Sequence, residues 1–216
     1  MIRQVERGVR SLHRRAFLAW ARRRVRAGRL KALGRDSLIV APATMLAPHR
    51  IEIGARVLVL ENVTFSVVEC HQGRRHDPSL KIGDRTLVGH GVWFSCVGSI
   101  EVGSDVIIGH GALIGDSFHE YADRATPIRW QPMAEPRPVR IEDGACLGPG
   151  SVILSGARVG RGAYVAANAV VAGEVPDHSV AAGNPAEVVR RWDASRGDWV
   201  DSDDPRWRDL LTALTR

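Results

Sequence analysis

Residues 141–176 read IEDGAC LGPGSV ILSGAR VGRGAY VAANAV VAGEVP when divided into sixes, and Ile141, Leu147, Ile153, Val159, Val165 and Val171 each open a group. Helical spacing of three and four does not reproduce this period. A hexapeptide period marks a parallel β-helix, in which no coil can bury its own apolar side and a core forms only when coils stack. The expected fold class is therefore an all-β repeat.

The register extends outward from this stretch. It holds at Ala41, Ala47, Ile53, Val59 and Phe65, at Ile82, Val88 and Phe94, and, after a slip of two residues, at Val102, Ile108 and Ile114. The fifth position of each group is small or β-branched (Val57, Val63, Val92, Val106, Ala112, Ala145, Ser151, Ala157, Ala163, Ala169), which suits a narrow prism. The second position is often Gly, read as a tight corner. Two stretches interrupt the period: Glu69–Lys81 (ECHQGRRHDPSLK), a loop by composition, and residues 116–140, which carry four prolines. A long irregular insertion like the second is usually functional or disordered.

Charge divides the chain differently. Residues 1–36 hold eleven Arg and one Lys against Glu6 and Asp36, whereas the remainder has 18 basic and 22 acidic side chains. The basic balance therefore belongs to an arm rather than to the repeat body. Val5, Val9, Leu12, Ala16 and Trp20 recur there at helical spacing, which predicts an amphipathic helix. Such a helix can cover the open edge of the first coil or attach peripherally to an anionic membrane surface. Nucleic-acid binding is disfavoured, since no reading module accompanies the basic patch. The predicted organisation is an arm over 1–37, the β-helix over 38–182 and a C-terminal helical segment over 183–216. In the last, Gly183 and Pro185 end the strand register, Asp204 and Pro205 open a helix, and Trp207, Leu210, Leu211 and Leu214 share a face.

Several function classes are excluded or disfavoured. No apolar run approaches the roughly 20 residues needed to span a bilayer, and the N-terminus lacks a secretory pattern, so a cytoplasmic protein is expected. Cys70, Cys96 and Cys146 form no CxxC pair, which argues against a disulfide framework or a zinc cage. Neither GxGxxG nor GxxxxGK[ST] occurs.

The hexapeptide body, the insertion reading DSFHEYAD with PIRWQP after it, IEDGACLGPGSVIL and a terminal VAAGNPAEVVR together resemble the hexapeptide-repeat acyltransferases, in the branch of galactoside, maltose and polysaccharide O-acetyltransferases. The resemblance covers residues 51–191. It implies a left-handed parallel β-helix, a homotrimer with active sites between adjacent prisms, and acetyl-coenzyme A or another short-chain acyl-CoA as co-substrate, with no metal. The implied reaction is direct acyl transfer to a hydroxyl of a sugar, nucleotide-sugar or cell-surface polysaccharide precursor.

Site residues follow from the same resemblance. His119 matches the catalytic histidine, and an imidazole is the side chain best matched to removing a hydroxyl proton at neutral pH. Asp116 matches an acidic residue preceding it, a candidate to orient the ring, with a carboxylate closing its own turn as the alternative. Ser95, Tyr121, Arg129 and Gln131 are candidate acceptor contacts; Arg129 and Gln131 could equally pin the loop. Gly148, Ala166, Ala167, Gly183 and Pro185 fall where the family lines the pantetheine groove, and Arg190 and Arg191 are placed to meet phosphate. Cys146 replaces a frequent Trp. Two rival readings stand beside this one: N-acetylation of an amino sugar, and a non-transferase prism, scaffold or zinc-dependent hydratase, for which the outward His90 and His110 could meet across an interface.

Overall fold

The hexads fold into short parallel strands stacked as three flat faces, an arrangement that buries every second residue of each strand. The computed structural model describes residues 30–207 and Thr212; the arm helix read over residues 5–20 and the face of Leu210, Leu211 and Leu214 lie outside the described residues. Face A stacks Ala32–Leu33, Ile51–Ile53, Ser79–Ile82, Ser99–Val102, Val139–Ile141, Arg158–Val159 and Glu174–Val175. Face B stacks Leu38–Ile39, Leu58–Val59, Leu87–Val88, Ile107–Ile108, Cys146–Leu147, Tyr164–Val165 and Ser179–Ala182. Face C stacks Ala43–Met45, Val63–Val67, Trp93–Cys96, Leu113–Gly115, Val152–Ile153 and Val170–Val171. Each coil visits A, B and C in turn.

The anchors form three inward columns. On face C, Met45, Phe65, Phe94, Ile114, Ile153 and Val171 lie in register, with the Phe65 and Phe94 rings stacked at 5.3 Å between centroids. The ten fifth-position residues are all buried, as the narrow prism requires. In the most regular coils partners sit 18 residues apart, as Cys146 with Tyr164, which is three hexads.

Register also corrects the first coil. Ile39 pairs with Val59 and Met45 with Phe65, so these two residues, and not Ala41 and Ala47, are its anchors. The mismatch arises at the 3-10 turn Pro48–Arg50, where the coil carries extra residues between faces C and A. The same C–A corner absorbs the slip before Val102 and both long insertions. The second-position glycines have a reason other than a tight turn. A Cβ on Gly83 would lie 2.5 Å from the Gly103 carbonyl carbon of the next coil, whereas positive φ falls on fourth-position residues such as Gly111, Gly144 and Asn168.

The ends of the body differ from the sequence reading. Ala32–Leu33 pairs with Glu52 and Ile53, so the first coil begins before the boundary at 37/38, because Lys31 and Arg35 are outward side chains of the prism rather than the end of the arm. Beyond Gly183 the chain forms no helix over 187–201. Glu187–Asp193 pairs antiparallel with Ser179–Ala182, and Asp198–Asp201 pairs antiparallel with Glu187–Asp193. The last parallel strand leaves an open edge, and the β-branched pair Val188–Val189 fits a strand that covers it. The 3-10 turn Pro205–Trp207 follows, with Asp204 accepting from the Arg206 amide, and Thr212 beyond it is helical.

Candidate functional site

Two interruptions of the repeat leave the prism at the same corner and fold against each other. The first, after Val67, makes a two-stranded hairpin of Cys70–His71 and Arg74–Arg75. The second runs from Asp116 to Val139 and pairs with itself: Ala134 N–H donates to the Phe118 carbonyl, Glu120 N–H donates to the Pro132 carbonyl, and His119 bridges Met133. Gln72 Nε2 donates to the Arg129 carbonyl at 3.1 Å, and Arg74 pairs with Glu135 at 2.8 Å. The rings of His71 and His119 meet edge to face with centroids 5.0 Å apart. A single lobe results, and His119 stands exposed on it.

Asp116 is fully buried under this lobe and does not reach the imidazole. Its Oδ1 accepts from Val97 N–H and its Oδ2 from Gly98 N–H, both at 2.8 Å, and the Cys96 thiol approaches Oδ2 at 3.7 Å. Burial raises its pKa above the ordinary carboxylate range, with the two amides pulling the other way. Burial, then the Asp116 charge, pushes the Cys96 thiol up. The carboxylate therefore fastens the short corner 97–98, over which the insertion closes: a Cβ on Gly98 would meet Pro136 at 2.9 Å. Of the two roles open to Asp116, the geometry supplies a structural one.

Gln131 is likewise an internal fastener. Its Nε2 donates to the carbonyls of Asp123 and Thr126, both at 2.7 Å, and its Oε1 accepts from Asp123 N–H. Arg129 is exposed, its guanidinium 4.4 Å from the Trp130 ring centroid. Tyr121, Phe118, Ile128 and Trp130 are all more than half exposed, giving the lobe an aromatic outer surface. Ser95 is half-buried on face C in register with Ser66 and Gly115, a run of small residues immediately below the insertion.

The predicted cofactor residues gather at another corner. Gly148, Ala166, Ala167 and Gly183 follow successive face-B strands and stack at the B–C corner. A Cβ on Gly148 would lie 2.5 Å from the Ala167 amide nitrogen, so coil stacking alone demands Gly there. Ala167 is exposed, and the Trp207 ring lies against Gly183 and packs with Ala166 and Ala182. Pro185 lies exposed in the turn that follows. Arg190 pairs with Asp201 at 2.6 Å and lies over Trp199, while Arg191 is exposed on the hairpin.

His90 and His110 stack within one chain on neighbouring coils, their ring centroids 5.0 Å apart. His110 Nδ1 accepts from the His90 amide, and His90 Nδ1 lies 2.7 Å from a Glu61 carboxylate oxygen. Among the described residues, no group of three or more His, Cys, Asp or Glu is arranged to hold a metal ion.

Face C separates the two clusters. The insertion leaves from one end of its strands, after Leu113–Gly115, and the small-residue column lies at the other end, before Val152–Ile153. At about 3.3 Å per strand residue, one hexad between corners spans roughly 20 Å. Within one chain, therefore, the imidazole and the small-residue column face different edges.

The sequence missed the hairpin Cys70–Arg75 as part of the site, having read it only as a loop. The available signal was position in the coil, since both interruptions replace the same C–A corner.

Residues 138–173 match the family "Bacterial transferase hexapeptide (six repeats)". A probable acetyltransferase of Mycobacterium tuberculosis is 35% identical over 126 residues, covering 56% of this chain and 42% of that protein. Serine acetyltransferase 2 of Arabidopsis thaliana is 35% identical over 113 residues, 52% of this chain and 31% of that protein. The chain thus spans less than half the length of these two relatives. Among solved structures, the Bacillus cereus N-acyltransferase AntD, in complex with dTDP and 3-hydroxybutyryl-CoA, superposes with a TM-score of 0.66 at 15% identity, covering 90% of this chain and 94% of that one. A hexapeptide-repeat acetyltransferase of Vibrio cholerae, complexed with acetyl coenzyme A, gives a TM-score of 0.54 at 21% identity over 84% and 90%. With its coil-by-coil register and these structural likenesses, the chain has the fold of those solved structures, a left-handed parallel β-helix, and residues 138–173 carry the hexapeptide repeat of bacterial transferases.

Proposed function

We propose that this protein is an acyl-CoA-dependent O-acyltransferase, acting on a hydroxyl of a saccharide acceptor, with His119 as general base in a site completed by a second copy of the chain. The observation that carries the reading is the exposed imidazole on a fastened lobe, one face away from a column of small residues that Ala167 opens to the surface. Outward side chains explain how the two come together. Face A presents Glu52, Lys81, Glu101, Arg140, Arg158 and Glu174, a charged surface suited to water. Face B presents Leu58, Leu87, Ile107, Cys146, Tyr164 and Val180, and face C presents Trp93, Leu113, Val152 and Val170. Two apolar faces and one charged face fit a closed ring in which each prism packs B and C against neighbours. A trimer closes this way, and it sets the lobe of one copy beside the small-residue column of the next.

Acetyl-coenzyme A or a similar short-chain acyl-CoA supplies the acyl group as a thioester. The exposed Ala167 and the Gly148 wall beneath it fit a thin arm, and the half-covered Gly183 fits it less well. Arg191 is free to meet phosphate, whereas Arg190 is engaged by Asp201. His119 accepts the acceptor's hydroxyl proton on a ring nitrogen as the oxygen bonds to the acyl carbon, and returns it to the departing sulfur. The aromatic surface of Phe118, Tyr121 and Trp130 and the small residues around Ser95 would hold the acceptor. The fasteners Asp116 and Gln131 keep the lobe in place.

Thiol release from acetyl-CoA, measured against a panel of hydroxyl and amino sugars, tests the reading. Release dependent on a hydroxyl sugar, and its fall by about 10²- to 10⁴-fold in His119→Ala with CoA binding unchanged, is expected. Release only with amino sugars would move the assignment to N-acylation. Full activity in His119→Ala would remove the base.

A further inference from the structure

The reading of His119 as base leaves open what holds its ring, since the Asp116 carboxylate is turned inward to Val97 and Gly98. The residue beside it is His71, carried on the hairpin from the other insertion. The two rings meet edge to face at 5.0 Å, with an interplanar angle of 68°. His71 Nε2 is buried with no hydrogen-bond partner. A buried polar atom without a partner is uncommon in folded proteins, and a role in the site is one of the few physical reasons for retaining it.

The hairpin is also tied to the lobe rather than merely near it. Gln72 reaches the Arg129 carbonyl and Arg74 reaches Glu135, two ties besides the His71–His119 contact. At its base Glu69 is held by Arg50 at 2.9 Å and by His49 at 3.1 Å. From this geometry we infer that His71 is a positioning residue for His119. Its ring fixes the plane of the base through the edge contact.

This inference rests on the transferase reading, and the test separates the two. Three variants, His71→Ala, His71→Gln and His119→Ala, are compared in the full chain by steady-state kinetics, with CoA binding followed by calorimetry. His71→Ala is expected to lower kcat by about ten- to a hundred-fold, the scale of a misoriented base, with KM for acetyl-CoA changed by less than about two-fold. His71→Gln, which keeps a polar side chain but no ring, should recover only part of kcat. Wild-type kcat in both His71 variants, with His119→Ala inactive, would overturn the inference and leave the base standing. An active His119→Ala would instead remove the base, and the role of His71 with it. Should His71→Ala melt early, His71→Gln alone decides: a loss in kcat with KM held supports positioning, and wild-type kcat overturns it.

Discussion

Asp116 shows what a single residue's surroundings decide. Its match to the acidic residue that precedes the histidine in the family it resembles made it a candidate partner for the imidazole, yet the fold spends both oxygens on the amides of Val97 and Gly98. Asp116→Ala is expected to lower the unfolding free energy by about 2–5 kcal/mol, since each orphaned buried donor costs about 1–3 kcal/mol; a denaturant titration checks this. The pH dependence has a definite sign. Burial raises the folded-state pKa above the ordinary value of 3.8, so the carboxyl's contribution is complete at acid pH and is lost as pH rises through the folded value. The stability gap between the native chain and Asp116→Asn should therefore narrow on going from about pH 4 to neutrality. A gap that widens would mean that the amides outweigh burial. His119, by contrast, was legible as a candidate because its neighbours in sequence carry the pattern. No pattern in one chain says which way a neighbouring carboxylate turns.

At the level of elements, the columns of anchors were legible because a period of six is a local property. Core substitution should behave accordingly: Ile153→Ala, fully buried in the face-C column, is expected to cost about 2–5 kcal/mol in a thermal or denaturant melt. The C-terminal hairpin was not legible, since Glu187–Asp193 becomes a strand only because Ser179–Ala182 offers it an edge. The joined lobe escaped for a similar reason: its contacts connect residues 57 to 61 positions apart, such as Gln72 with Arg129 and Arg74 with Glu135. Gln131 is the internal tie of that lobe. Replacing it with Ala frees the carbonyls of Asp123 and Thr126, and hydrogen exchange should then quicken across 118–134 while the coils stay protected. Unchanged exchange in that segment would show that Gln131 is not what holds it.

Across the whole molecule, the contrast between faces is what the proposed trimer rests on. Ile107 on face B and Leu113 on face C are exposed in the single chain at 40% and 38%, and a charge at either should be tolerated by the fold but not by a packed neighbour. Ile107→Asp or Leu113→Asp is expected to shift light-scattering mass from a trimer toward the monomer with little change in secondary structure. A monomeric native chain would contradict the packing argument directly. Such contrasts can be read from a sequence only after the register assigns each outward residue to a face.

The central claim is that one copy supplies His119 and the next supplies the small-residue column. Mixing His119→Ala with Ala167→Trp, each inactive alone, and allowing subunits to exchange, tests it most directly. In a closed ring of three formed at random from equal parts, roughly a quarter of the sites pair an intact imidazole with an intact column, so the mixture should regain about that fraction of native activity. No recovery in a mixture shown to contain hybrid trimers would contradict a site shared between copies.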